Sequence, residues 1–111
     1  MKNNLLLIFA ALLFSHPRPV SAQCGSARYD QEVFTNVVVT SDIAYGSNVD
    51  YLGATTSLTM DIYEPDGDNE AMRPLIVWAH GGSFMGGTKL DPDVVSLCNH
   101  FAKRGYVCAS I

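Results

Sequence analysis

The chain has 111 residues, 48% of them apolar, and a net charge of −4. That is enough sequence for about one small domain with an ordinary globular balance. The acidic balance argues against nucleic acid or an anionic membrane as a partner, since both call for a basic face.

The chain opens with Met1–Asn4, which holds one lysine, followed by the uncharged apolar run Leu5–Phe14 and the small-residue site Val20-Ser21-Ala22. This order predicts a secretory signal peptide over 1–22, because the apolar run falls short of the roughly 20 residues that a membrane span requires. Cleavage after Ala22 predicts a secreted or periplasmic protein with no stable membrane anchor. Loss of Lys2 and Arg18 with the leader takes the net charge from −4 to −6. His16 leaves with it. A lipid anchor at Cys24 wants a small residue just before the cysteine, and Gln23 is not small. Residues 23–32 are short and polar and are expected to form a flexible N-terminus. The folded domain is expected over 33–111.

Val33–Tyr45 is rich in β-branched residues and predicts a strand kinked near Ser41-Asp42. Gly46–Thr56 reads as a turn or loop. In Ser57–Tyr63, Leu58, Met60 and Ile62 alternate with Thr59, Asp61 and Tyr63, which predicts a strand with one wetter face on the Asp61 side. It should pair antiparallel with the first strand at a sheet edge. Pro65–Arg73 is an acid-rich connector whose spacing does not suit a calcium loop. Leu75–Ala79, after Pro74 and before glycines, predicts a short strand buried on both faces, with Trp78 in the core or in a pocket wall.

A well-marked helix follows. Asp91 is its N-cap, Pro92 takes the first helical position, and Gly105 is its stop. Val94, Val95, Leu97, Cys98, Phe101 and Ala102 form the apolar stripe. Ser96, Asn99, His100 and Lys103 fall on the solvated face. Asp93 near the start and Lys103 and Arg104 near the end suit the helix dipole. Tyr106–Ile111 predicts another buried strand. Strand, helix and strand with a short return make a right-handed, parallel βαβ unit. The fold class is therefore α/β, with antiparallel edge strands leading into that unit.

Three cysteines occur, Cys24, Cys98 and Cys108. Their spacing suggests no metal site with the histidines. Cys98 and Cys108 fall on inward positions, either as two buried small hydrophobes or as a bridge between helix and strand.

The stretch that the rest is built around is Pro74–Gly87, PLIVWAHGGSFMGG. Gly81-Gly82 lets the chain turn tightly at the end of a strand and leaves its N–H groups bare. Bare N–H groups aimed at one point favour negative charge, either a phosphate or an oxyanion. A phosphate loop needs lysine before threonine at the end of the glycine run. Here the order is Gly86-Gly87-Thr88-Lys89. The oxyanion reading needs only two or three donors and small side chains, which His80-Gly81-Gly82-Ser83-Phe84 offers.

That sequence resembles the HGGG-type oxyanion motif of α/β-hydrolase carboxylesterases and lipases. The resemblance runs from about Phe34 to Ile111. Leu58–Pro65 looks like the second strand of such enzymes, and Tyr106–Ile111 like the strand after the first helix. It implies that the Gly82 and Ser83 N–H groups form the oxyanion hole, with serine where most relatives have a third glycine. It also implies that His80 braces the loop with Gly81, and that Phe84 packs beneath it. The base histidine of the family comes later in the chain. No serine here satisfies Gly-x-Ser-x-Gly, so neither nucleophile nor base is expected among these residues. The resemblance implies no cofactor and no metal, and a small-molecule ester as substrate. It presents the chain as the truncated N-terminal part of an α/β-hydrolase fold that needs the remainder of the domain. Alone, the chain is expected to be inactive and poorly soluble, with Tyr106–Ile111 as an exposed apolar edge. The same parts could serve a peptidase or amidase, or a non-catalytic binding or adhesion protein of this fold.

Overall fold

The computed structural model describes residues 27–83 and 85–111. The predicted signal peptide, Cys24 and Phe84 lie outside the described residues. Among the described residues, four strands, β1 (Val37–Val49), β2 (Thr55–Pro65), β3 (Leu75–Trp78) and β4 (Val107–Ser110), form one mixed sheet with one helix, α1 (Pro92–Lys103). This is an α/β arrangement. The order across the sheet is β1-β2-β4-β3. β1 and β2 pair antiparallel, as do β2 and β4, whereas β3 and β4 pair parallel around α1.

β1 starts at Val37, later than the expected first residue Val33, and runs on to Val49, into the stretch expected as loop. The turn shrinks to residues 50–54, where the Asp50 carboxylate accepts the Leu52 and Ala54 N–H groups, each at 2.9 Å. The expected kink is present as a register shift between Thr40 and Ile43, with Asp42 at φ 60°. Aspartate tolerates this left-handed conformation better than most residues.

Three expectations about the sheet are corrected. β4 is not an exposed edge: it lies between β2 and β3, and Cys108, Ala109 and Ser110 are buried. The edges are β1 and β3, and β3 is not covered on both faces, since Leu75 and Val77 are 60% and 55% exposed. The wetter side of β2 is also reversed. Asp61 and Tyr63 are buried, while Leu58, Met60 and Ile62 are only half-buried. The physical reason is shared. The strand register puts Asp61, Tyr63, Cys108, Ser110, Ile76 and Trp78 on one face, and α1 packs there. Among the described residues no element covers the other face.

Val94, Cys98 and Ala102, spaced by one helical turn, carry the buried stripe of α1 onto Tyr63 and Cys108. Phe101 and Trp78 flank this core, with ring centroids 6.0 Å apart. Both described cysteines are free and fully buried. Burial pushes the Cys98 thiol up to about 11 and the Cys108 thiol up to about 12. They are the small core hydrophobes of the first alternative above. Asp91 stands at the N-cap, but its side chain makes no capping bond.

The helix end is built as the sequence indicates. Gly105, at φ 100°, donates to the Ala102 carbonyl at 2.8 Å, and Tyr106 donates to that of Phe101 at 3.2 Å. These two bonds define a Schellman stop, and the Phe101–Tyr106 ring contact at 5.5 Å is its apolar partner. The segment expected to be flexible is held here over its described part. Tyr29 N–H donates to the Arg104 carbonyl at 2.7 Å, and the Val33 and Phe34 N–H groups donate to the Lys103 carbonyl. The solvated His100 pairs with Glu32 from the same segment. Arg28 then reaches Asp68, which Arg73 also grips at 2.8 Å. Polar composition alone hid this, because the partners are carbonyls that any helix leaves over at its C-terminus.

Candidate functional site

β3 delivers the chain to the glycine loop, and the β3–β4 pairing continues one step past the strand ends. Ile111 N–H donates to the Trp78 carbonyl at 2.9 Å, and His80 N–H donates to that of Ile111 at 3.3 Å. The loop therefore leaves the sheet from a fixed point. It then turns through Gly82, at φ 125°, and Ser83, at φ 54°, and closes with Met85 N–H donating to the Gly82 carbonyl at 2.9 Å.

The glycines of this loop are a packing device as much as a turn. A Cβ on Gly82 would strike the backbone of Gly86, and one on Gly87 would strike the Gly81 carbonyl and the His80 ring. The pairs Gly81-Gly82 and Gly86-Gly87 thus interlock backbone against backbone. The His80 Nδ1–H donates to the Gly81 carbonyl at 2.6 Å, since a carbonyl can only accept.

His80, Gly81, Gly82, Ser83 and Gly86 line an open cavity of about 240 Å³. Among the described residues the Gly82 and Ser83 N–H groups have no acceptor. A larger groove of about 390 Å³ adjoins it, with Tyr45, Ser57, Thr59, His80, Thr88 and Lys89 on its walls.

Beyond Gly87 the chain is anchored through Lys89. Its ammonium lies between the carboxylates of Asp42, at 2.6 Å, and Asp61. Asp61 also accepts the Asp42 N–H at 2.9 Å. Burial by itself would push the Asp61 carboxyl up. The Lys89 ammonium and the Asp42 N–H outweigh that and hold it below the usual carboxylate range. The two carboxylates in turn raise the Lys89 ammonium. Ser110 Oγ donates to the Lys89 carbonyl at 2.6 Å.

Sequence reasoning singled out His80, Gly81, Gly82 and Ser83, which the fold gathers around one cavity. It missed the role of Gly86-Gly87 and the whole Lys89–Asp61–Asp42 cluster. Two signals were available: a second glycine pair three residues after the first, and a lone acid inside the apolar strand LTMDIY. Asp61 and Lys89 are 28 residues apart, so no local pattern joins them. Among the described residues no cluster of His, Cys, Asp and Glu suits a metal ion.

Residues 60–111, just under half of the chain, match the BD-FAE family model, a family of α/β-hydrolase-like esterase domains. The match runs from β2 through the glycine loop and α1 to the end of β4. No curated protein and no solved structure matches the chain.

Proposed function

We propose that this chain supplies the oxyanion-binding half of a secreted carboxylic-ester hydrolase that works through a serine acyl-enzyme. The observation that carries the reading is that the adjacent residues Gly82 and Ser83 line a cavity and that their N–H groups have no acceptor among the described residues. The similarity of residues 60–111 to an esterase family supports it, and the cleavable leader read from residues 1–22 supports export.

The chemistry follows from charge. Attack on an ester carbonyl moves an electron pair onto the carbonyl oxygen. Two fixed donors meet that charge without reorganising, and loss of one typically costs about 3 kcal/mol of transition-state stabilisation. The His80–Gly81 bond holds the entry to the turn. The Gly82–Met85 bond holds its exit. The nucleophilic serine and its base come from sequence outside these 111 residues. The serine displaces the alcohol, which leaves with the proton that the base took from the serine, and water then takes the acyl group and restores the serine.

Two measurements on the full-length protein decide this. Its coding sequence beyond Ile111 should carry Gly-x-Ser-x-Gly followed by Asp or Glu and then His. The purified protein should hydrolyse short-chain nitrophenyl esters and take up a fluorophosphonate at one serine. A protein with neither turnover nor labelling would be a binding protein on this fold instead. Preference for anilides over esters would make it an amidase.

A further inference from the structure

Lys89 is tied to three strands. Its ammonium meets Asp42 on β1 and Asp61 on β2, and its carbonyl accepts from Ser110 on β4. The other foot of the loop, His80, is tied to Ile111 just past β4. Between these two feet the described residues form no helix or strand. Its shape is set by backbone packing of Gly87 on Gly81 and of Gly86 on Gly82. A shift at residue 89 therefore passes through two backbone contacts to the turn that carries the Gly82 and Ser83 N–H groups.

Stability alone gives a weak reason for this cluster. The Asp61 side chain is 2% exposed and that of Lys89 14%. Removing such charges from water costs several kcal/mol per ion, and well-packed apolar residues often do as well or better. What an ion pair gives and an apolar contact does not is a defined position. The left-handed Asp42 in the β1 bulge fits that purpose. Its N–H and its carboxylate both turn to the pair, one to Asp61 and one to Lys89. Bulges re-aim single groups in this way.

We propose that Lys89, seated between Asp61 and Asp42, is the positioning residue of the glycine loop and fixes the direction of the Gly82 and Ser83 N–H groups. This rests on the oxyanion reading above for its meaning, though not for its test. Lys89 touches no reacting atom. It holds the backbone that does.

The test uses the full-length protein with Lys89→Met, Lys89→Arg and Asp42→Asn. Amide exchange is followed at His80 and Met85, whose N–H groups are hydrogen-bonded, and ¹H–¹⁵N shifts at Gly81, Gly82, Ser83, Gly86 and Gly87, with the amides of α1 as internal reference. In Lys89→Met the His80 and Met85 amides should exchange about tenfold faster, and the glycine-loop shifts should move, while α1 keeps its protection. Lys89→Arg should restore most of that protection. Asp42→Asn, which alters an exposed carboxylate, should give a smaller rise of about threefold at the same amides. Ester turnover should follow, with kcat falling in Lys89→Met, KM held, and kcat recovered in Lys89→Arg. Unchanged loop amides in Asp42→Asn and in a folded Lys89→Met would overturn the proposal, as would equal loss of protection in loop and helix. The two readings fail separately. A protein without ester turnover whose loop still loosens in Lys89→Met loses the esterase reading alone. An active esterase whose loop does not respond loses the clamp alone.

Discussion

The two ends of α1 are handled in opposite ways. At its C-terminal end every feature is spent: Gly105 closes the helix, the segment 27–34 takes the last carbonyls, and Asp68 is shared by two arginines. Beyond its N-terminal end the glycine loop has both feet pinned to the sheet, yet two of its cavity-lining residues, Gly82 and Ser83, keep N–H groups with no acceptor among the described residues. Each corner is fastened by a buried carboxylate, Asp68 in one and Asp61 in the other. The difference is in what the fastening serves. In one corner the charges hold a joint shut. In the other they hold a gap open at a fixed shape.

The most forceful way to break that contrast is Gly82→Ala. The new methyl would collide with Gly86 at a φ of 125°, so the open corner cannot keep its course. Ester turnover should drop by roughly a hundredfold or more, and thermal scans should show destabilisation of about 1–3 kcal/mol. Next in size is Asp68→Asn, which removes the negative charge that Arg28 and Arg73 share in the closed corner. Stability should fall by about 2–3 kcal/mol with no change in the loop amides of Gly82 and Ser83, as NMR would show.

Acid sharpens the same contrast. Arg28 above all, then the Glu70 N–H and the Arg73 charge, hold the Asp68 carboxyl down at about 2, against an ordinary 3.8, although burial opposes them. Its folded value is depressed, so its contribution is complete above about pH 4 and is lost as the pH falls through about 2. Denaturant titrations should reveal a loss of stability in that window, and Asp68→Asn should flatten it. Gly105→Ala comes next, at about 1–2 kcal/mol, because a side chain there is forced left-handed beside Arg28. The smallest effect belongs to Ser83→Gly. It relieves a serine at φ 54° but frees the unfolded chain, so the melting temperature should change by no more than the equivalent of about 0.5 kcal/mol.

What was legible in the sequence was local. Pro92, the stripe Val94–Cys98–Ala102 and Gly105 bound α1 to its observed limits, because each acts within one or two turns. The β1–β2 pairing was legible because the two strands are adjacent in the chain. The position of β4 was not, since strand order depends on which edges remain free after the helix packs. Nor was the side of Asp61. Alternation divides a strand into two faces and cannot say which one a distant helix covers. The candidate site divides along the same line: HGGS stands out as a word, while the lysine nine residues beyond His80 finds its carboxylates only in the folded chain.

The sealed thiols of Cys98 and Cys108 lie where α1 rests on the sheet. An alkylating reagent in solution meets neither of them until the helix lifts, which also removes the burial that holds their protons on. The pair is thus a natural clock for opening of the core. The rate at which label accumulates counts how often the molecule breathes, and a partner that settles on the bare side of the sheet would slow the count without touching either sulfur.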